Sequence, residues 1–293
     1  MTDYLTYLYL LSPLHTGGSS QEGNLVGIAR EVHTDFPYLP SSSLRGKIRS
    51  ECDRLAKNGT AKEKEVDTLF GCKLKDGKQP TEGTIWIGDA SLLFFPIASL
   101  SHQYIWITCP LWLSRWNRWR QDERMEDLIG QWRSLLDEEG EGGKKAISPL
   151  DQRIYLQGAI LNRDHIKTIP KDAVCWEAFE SLPDGNGILN LKQKLVVVSD
   201  FDCGALVELG LQREVRIALK DGSKTAADGS FRSEEAIPSE SILFFPWGSK
   251  PAYDSAIPKN TFEQLRQILN SRLQFGGLEG LGRGWSEATT VPV

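Results

Sequence analysis

The segment Leu273–Trp285, LQFGGLEGLGRGW, places five glycines (Gly276, Gly277, Gly280, Gly282 and Gly284) within nine positions. Between and around them it keeps Phe275, Leu278, Leu281 and Trp285, and it carries Arg283. A flexible tail has no use for apolar residues held in register, so the segment reads as an ordered loop. Its backbone must either come close to something or take dihedrals that only glycine takes cheaply. The spacing is not the dinucleotide fingerprint, which opens a helix directly after a strand. A helix over 259–273 is expected before this loop, and a strand containing Thr289, Thr290 and Val291 after it.

The chain has 293 residues, enough to bury a large core as one large domain or two smaller ones. Apolar residues make up 40% and charged residues 25%, as in an ordinary globular protein. The N-terminal TDYLTYLYLLSPLH is too short and too alternating to span a bilayer, and it lacks the basic start of a signal peptide. No membrane contact is expected. Cys52, Cys72, Cys109, Cys175 and Cys203 are odd in number and far apart, which reads as reduced thiols in a cytoplasmic protein without a zinc site. The formal charge of −5 argues against a nucleic-acid binder when taken alone. The acid is unevenly spread, however, with eight carboxylates between Asp122 and Glu141. Trp106, Trp112, Trp116, Trp119 and Trp132 crowd one stretch and indicate a large packed contact surface, internal or with a partner.

Along the chain, residues 3–11 alternate as a first strand. A Gly/Ser-rich loop follows, and Ser41, Ser42 or Ser43 is placed to cap a helix running to Lys57. That helix starts basic, with Arg45, Lys47 and Arg49, and carries Gly46 in its first turn. Gly46 costs about 1 kcal/mol against alanine, which points to a close approach there. Further strands are expected at 84–94, 105–108, 195–199, 213–219 and 240–246. A single amphipathic helix is expected over 111–137, a surface turn at 138–145 and an excursion over 150–194. The class is α+β, as two βαββ-like halves with antiparallel sheets around a large middle insertion.

No HExxH, GxSxG, Walker A or kinase motif is present. His15, one of four histidines, is either structural or functional in the first loop. Ser41–Ser43 with Arg45 combine helix-start N–H groups, hydroxyls and a guanidinium, which makes an anion site, or else a plain cap with solvated charges. Arg30 and Glu31 form an internal ion pair or a phosphate contact. Asp89, between Gly88 and Ala90, reads as a turn or strand-edge residue. These features together point to extended polyanion binding, and nothing in them demands catalysis.

An ordered set of motifs carries a family resemblance. It comprises His15-Thr-Gly-Gly, Arg30-Glu31 through Pro40-Ser-Ser-Ser-Leu44-Arg-Gly46 to Arg49, and Leu69-Phe-Gly71. Gly88-Asp-Ala90, Pro96-Ile-Ala-Ser99, Trp106-Ile-Thr-Cys-Pro110, Glu234-Glu-Ala-Ile-Pro238 and Gly276 through Trp285 complete it. In this order the chain resembles the repeat-associated mysterious protein (RAMP) superfamily of type III CRISPR effector complexes. It is most similar to the repeated backbone subunit of the III-B, or Cmr, complex. The resemblance implies one RAMP-type domain over 1–293, a ferredoxin-like, RRM-like palm with insertions. A Trp-rich helical insertion falls at about 100–145 and a thumb hairpin within 152–190. It implies head-to-tail stacking of copies along a CRISPR guide RNA, with complementary target RNA and other type III subunits as further partners in antiviral defence. His15, Arg30, Ser41–Ser43, Arg45, Lys47 and Arg49 would line the RNA on one side. Gly276, Gly277, Gly280, Gly282 and Arg283 would line it on the other.

The family usually cuts target RNA with a divalent metal, using an aspartate five positions before the arginine matched by Arg30. The usual pattern is Asp-x-Pro-[Ile/Val]-x-Arg-[Glu/Asp]. Here Leu25 occupies the aspartate position and Gly27 the proline position. Leucine can neither ligate a metal nor orient water. The expectation is a guide-binding backbone subunit without that mechanism and without a cofactor. The alternatives are an Mg2+- or Mn2+-dependent endoribonuclease with a relocated group (Glu22, Asp35 or His15), a single-copy capping subunit that binds mainly protein, and a protein scaffold without RNA.

Overall fold

The computed structural model describes residues 3–18, 21–22, 25–57, 63–72, 79, 81–137, 143–180, 182, 190–217, 222, 225, 231–250 and 259–293. Residues 138–142 of the expected surface turn, 181 and 183–189 of the expected thumb and 218–219 of an expected strand lie outside them. In chain order the first elements are β1 (Asp3–Leu10), β2 (Gln21–Glu22), β3 (Leu25–Val26), α1 (Ser41–Lys57), α2 (Glu63–Phe70), β4 (Ile85–Ile87), β5 (Ser91–Ser99) and β6 (Gln103–Thr108). Next come α3 (Pro110–Arg120), α4 (Glu123–Leu136), β7 (Ala146–Ser148), β8 (Ile154–Leu156), β9 (Ala159–Leu161), β10 (Ile166–Thr168), α5 (Leu191–Lys194), β11 (Leu195–Val198) and α6 (Asp200–Gly210). The last are β12 (Gln212–Arg216), β13 (Arg232–Ala236), β14 (Ile242–Ser249), α7 (Lys259–Ile268), β15 (Arg272–Gln274) and β16 (Trp285–Pro292).

The organising unit is one βαββαβ motif. β1 lies between β14 and β16, antiparallel to both, and β14 continues antiparallel to β5. Helix α1 links β1 to β5, and α7 links β14 to β16. The strand order β5-β14-β1-β16 with these crossovers is the ferredoxin-like palm. It replaces the two βαββ-like halves expected from the sequence. The middle insertion, residues 100–241, enters between β5 and β14 and extends the sheet through β6, β11, β7 and β10.

Both faces of the palm sheet are buried. Tyr4, Leu8 and Leu10 of β1 join Leu44, Ile48, Leu243, Phe245 and Leu265 on the face of α1 and α7. Leu5 and Tyr7 turn the other way, into a cluster with Phe94, Phe244, Trp106, Trp116 and Trp132. A strand buried on both faces loses its polar alternation, so β1 is not the alternating strand expected from the sequence but, like β14, is buried almost throughout.

The insertion covers the second face with α3 and α4, two helices where the apolar periodicity predicts one. Gln121 turns left-handed (φ 54°), and Asp122 caps α4 by accepting the Arg124 N–H at 3.0 Å. The Asn117 side chain clamps this corner: its amide donates to the Asp122 carbonyl (3.0 Å) and accepts the Asp122 N–H (3.1 Å). The excursion is partly core. β10 pairs with β7, and the Phe179 ring sits 6.1–6.5 Å from Phe94, Trp116, Trp132 and Trp176. Trp116 Nε1 donates to Tyr7 Oη at 2.7 Å, and burial pushes the Tyr7 hydroxyl up to about 12. The tryptophan concentration thus serves internal packing, except at Trp119. The expected strand 84–94 splits at Gly88–Ala90, and all five cysteines are free.

Phe179→Ala removes a ring shared by four aromatic neighbours. It is expected to lower unfolding free energy by about 3–5 kcal/mol in denaturant titration. A cost below about 1 kcal/mol would place residues 174–179 outside the core.

Candidate nucleic-acid interface

Residues 30–37 form a closed loop. Arg30 bridges to Pro37, the Glu31 N–H donates to the Phe36 carbonyl (3.0 Å), and the Asp35 N–H donates to the Glu31 carbonyl (2.9 Å). Asp35 adopts φ 60°. Arg30 and Glu31 are both ion-paired, but not with each other. Arg30 reaches Glu208 (2.9 Å), Glu235 (3.0 Å) and Asp35 (3.4 Å). Burial opposes its charge, but Glu235 and the two other carboxylates outweigh that and raise its pKa. Glu31 receives a bidentate hydrogen bond from Arg115 of α3, at 2.8 and 2.9 Å. The loop is therefore pinned from the insertion on two sides. Asp35 keeps its side chain 79% exposed.

Helix α1 begins at Ser41, so the three serines lie within its first turn, and among the described residues no serine side chain caps it. The Ser41 N–H donates instead to the Asp89 carboxylate at 2.6 Å. Asp89 thus fills part of the anion position at this helix start. Arg45 donates to the Phe70 carbonyl (2.8 Å) and lies over the Phe70 ring, 5.3 Å from its centroid. Burial, with Arg49 adding to it, lowers the Arg45 pKa. Lys47 pairs with Glu51 (3.1 Å) and Arg49 with Asp67 (2.9 Å). Ser42 and Gly46 are exposed, Ser43 is half-buried, and a Cβ added at Gly46 meets nothing within 4 Å.

The glycine-rich loop docks on the first loop. The Gly277 N–H donates to the His15 carbonyl and the Gly284 N–H to the Pro13 carbonyl, each at 2.8 Å. His15 is buried, and its Nδ1 lies 2.8 Å from the Glu235 carbonyl, which can only accept, so Nδ1 carries the proton. A Cβ at Gly276 would meet the His15 carbonyl oxygen at 2.3 Å, and one at Gly284 the Phe275 carbonyl oxygen at 1.8 Å. Those glycines answer to contacts within the chain. Gly282 answers to its left-handed φ of 74°, whereas Gly280 faces open space. Arg283 is 8% exposed and pairs with Glu214 of β12 at 2.5 Å, so it braces the loop.

A separate small sheet joins these parts in the order β12-β13-β3-β2. β3 runs parallel to β13, with Leu25 opposite Ser233, and Glu22 lies opposite Leu25 in the β2–β3 pairing. Glu235 of β13 is 2% exposed and held between Arg30 and Arg213. The expectation singled out the cations and gave Glu208, Glu214 and Glu235 no part in holding them, although Glu235 stood in the Glu234-Glu-Ala-Ile-Pro238 motif and Glu214 between the arginines of QREVR. Among the described residues, no three His, Cys, Asp or Glu side chains gather as a metal-holding group.

The palm with two loops docked at its edge defines a class: ferredoxin-like proteins with a large insertion between the second and third strands. Residues 7–287 match the model of the RAMP superfamily, and the chain belongs to that family. It is 29% identical over 298 residues to the CRISPR system Cmr endoribonuclease Cmr4 of Pyrococcus furiosus, covering 100% of this chain and 97% of that protein. Its fold is similar to the crystal structure of oligomeric Cmr4 from Pyrococcus furiosus (TM-score 0.66, 26% identity, 100% and 99% of the two chains). It is also similar to a chain of the type III-B Cmr-beta complex bound to cognate target RNA (TM-score 0.72, 20% identity, 98% and 96%). That likeness concerns the fold alone.

Two outcomes test the loop. Gly284→Ala is expected to lower stability by about 2 kcal/mol or more while Gly280→Ala stays within about 0.5 kcal/mol, as read by thermal melts. The Arg283 hydrogen bond and charge hold the Glu214 carboxyl below its ordinary value of 4.5. This brace is complete above that value and is lost as pH falls through the lower, folded-state pKa. Amide exchange in 276–284 should therefore accelerate in acid, and Glu214→Gln should remove that acceleration.

Proposed function

We propose that this protein is a guide-RNA-binding, self-stacking backbone subunit of a type III CRISPR effector complex, acting in the cytoplasm in antiviral defence. On this reading it does not cut target RNA by the usual aspartate mechanism. One observation carries the proposal. The family model matches residues 7–287, and by the motif resemblance Leu25 takes the place of the aspartate. The pinned loop 30–37 supports it, because the frame around that position is ordered by Arg30 and Glu31. The relative from Pyrococcus furiosus is described as oligomeric, which supports stacking of copies. RNA would run past the exposed Ser42–Gly46 side of α1 and the open Gly280 of the glycine-rich loop. The buried Arg283 and the paired Arg30 would shape its bed from beneath.

The thumb expected within 152–190, where β8 and β9 form a hairpin with Ile160 exposed, has a second candidate in β12–β13. Residues 166–179 are tied to the sheet and the tryptophan cluster, whereas the β12–β13 hairpin leaves the main sheet and exposes Val215 and Phe231. A second reading, cleavage with a relocated acid and Mg2+ or Mn2+, draws on one observation: Glu22 lies opposite Leu25. The test is product mapping. The complex is assembled on its guide and given complementary target RNA with magnesium or manganese. Intact target with the wild-type protein, and cuts at six-nucleotide steps with Leu25→Asp, is the expected pair of results. Regular cuts by the wild type that vanish in Glu22→Gln would establish the second reading instead.

A further inference from the structure

Most of the described tryptophans are buried, but Trp119, near the end of α3, is 39% exposed. Trp86 of β4 covers one side of it, the two rings lying 5.5 Å apart and 27° from parallel. An indole backed by a second indole is a rigid apolar surface that loses little side-chain freedom when something else stacks on it. Trp285 is exposed to a similar degree, 40%, but no ring stands beside it among the described residues.

The helix that presents Trp119 is basic, and the acids Asp122 and Glu123 begin only after it ends. Helix α3 carries Arg115, Arg118 and Arg120 and no acid, in a chain whose net charge is −5. Arg115 is engaged by Glu31 and Arg120 by Asp122. Arg118, adjacent to Trp119, is exposed and has no partner among the described residues. Trp86 lies three residues before Asp89, the carboxylate that receives the Ser41 N–H.

We infer that Trp119, backed by Trp86 and flanked by Arg118, is a stacking platform for an unpaired nucleobase of the RNA strand, with Arg118 meeting the adjoining phosphate. A neutral aromatic side chain of another protein would fill the platform but leave Arg118 unanswered. A nucleotide satisfies both the ring and the charge. The site rests on the RNA-binding reading above and extends it to a face of the insertion that the family motifs do not include.

The test is fluorescence anisotropy of a fluorescein-labelled single-stranded RNA of guide length, at several salt concentrations. Trp119→Ala is expected to weaken binding about tenfold and Trp119→Phe by less than about threefold, with melting temperatures near that of the wild type. Arg118→Ala should reduce the slope of log affinity against log salt by about one. Wild-type affinity in Trp119→Ala overturns the platform. So does a Trp119→Ala protein whose copy number on RNA changes while its intrinsic affinity holds, because the ring would then be docking protein. No RNA binding by the wild type would sink the RNA reading itself, and this site with it.

Discussion

Burial of both faces of the palm sheet is the constraint on which the rest of the molecule depends. A ferredoxin-like sheet carries two helices on one side and leaves the other to solvent or a partner. Here β1, β5 and β14 are apolar on that second side as well, so something in the same chain must cover it. The insertion does so with Trp116, Trp132 and Phe179 packed against Tyr7, Phe94 and Phe244. The same insertion supplies Arg115 and Glu208, which hold the loop carrying Arg30 and Glu31. Covering the second face and ordering the functional loop are thus done by one piece of chain.

Electrostatics explains how an acidic protein keeps a basic edge in order. Most of the cations nominated from the sequence already have a carboxylate: Arg30 has Glu235, Lys47 has Glu51, Arg49 has Asp67 and Arg283 has Glu214. Partly buried pairs of this kind fix geometry more than they add stability, because desolvation offsets much of the attraction. Removing one partner is the costly event, since Glu235 at 2% exposure would keep its charge with less compensation. On the proposed reading, arginines so paired would shape the surface that RNA meets, and an arginine without a partner among the described residues, such as Arg118, is better suited to grip a phosphate.

Much of the architecture was legible along the chain. The first strand was legible from its alternation, those at 195–198 and 242–249 from apolar runs, and the ordered glycine-rich loop from glycines between retained apolar residues. Helix α6 was missed because Gly204 and Gly210 break its pattern. The Ser199 cap, whose hydroxyl accepts the Asp202 N–H at 3.0 Å, was its available signal. The α3–α4 break was missed because it rests on a side-chain clamp by Asn117, which no periodicity reports. Asp89 read correctly as an edge residue, but its role at Ser41 spans 48 positions of sequence.

The sequence by itself determined the family, the order of its motifs and the presence of leucine at position 25, because these are matters of residue identity and spacing. Only the tertiary structure decided which glycines are required by the chain's own backbone, which arginines are already paired and which tryptophan is left uncovered. Gly284 meets Phe275 nine residues away, yet Arg30 meets Glu235 across 205. Contacts of the second kind form only when the sheet has closed and the insertion has folded over it. They depend on three-dimensional proximity, which a one-dimensional pattern does not contain.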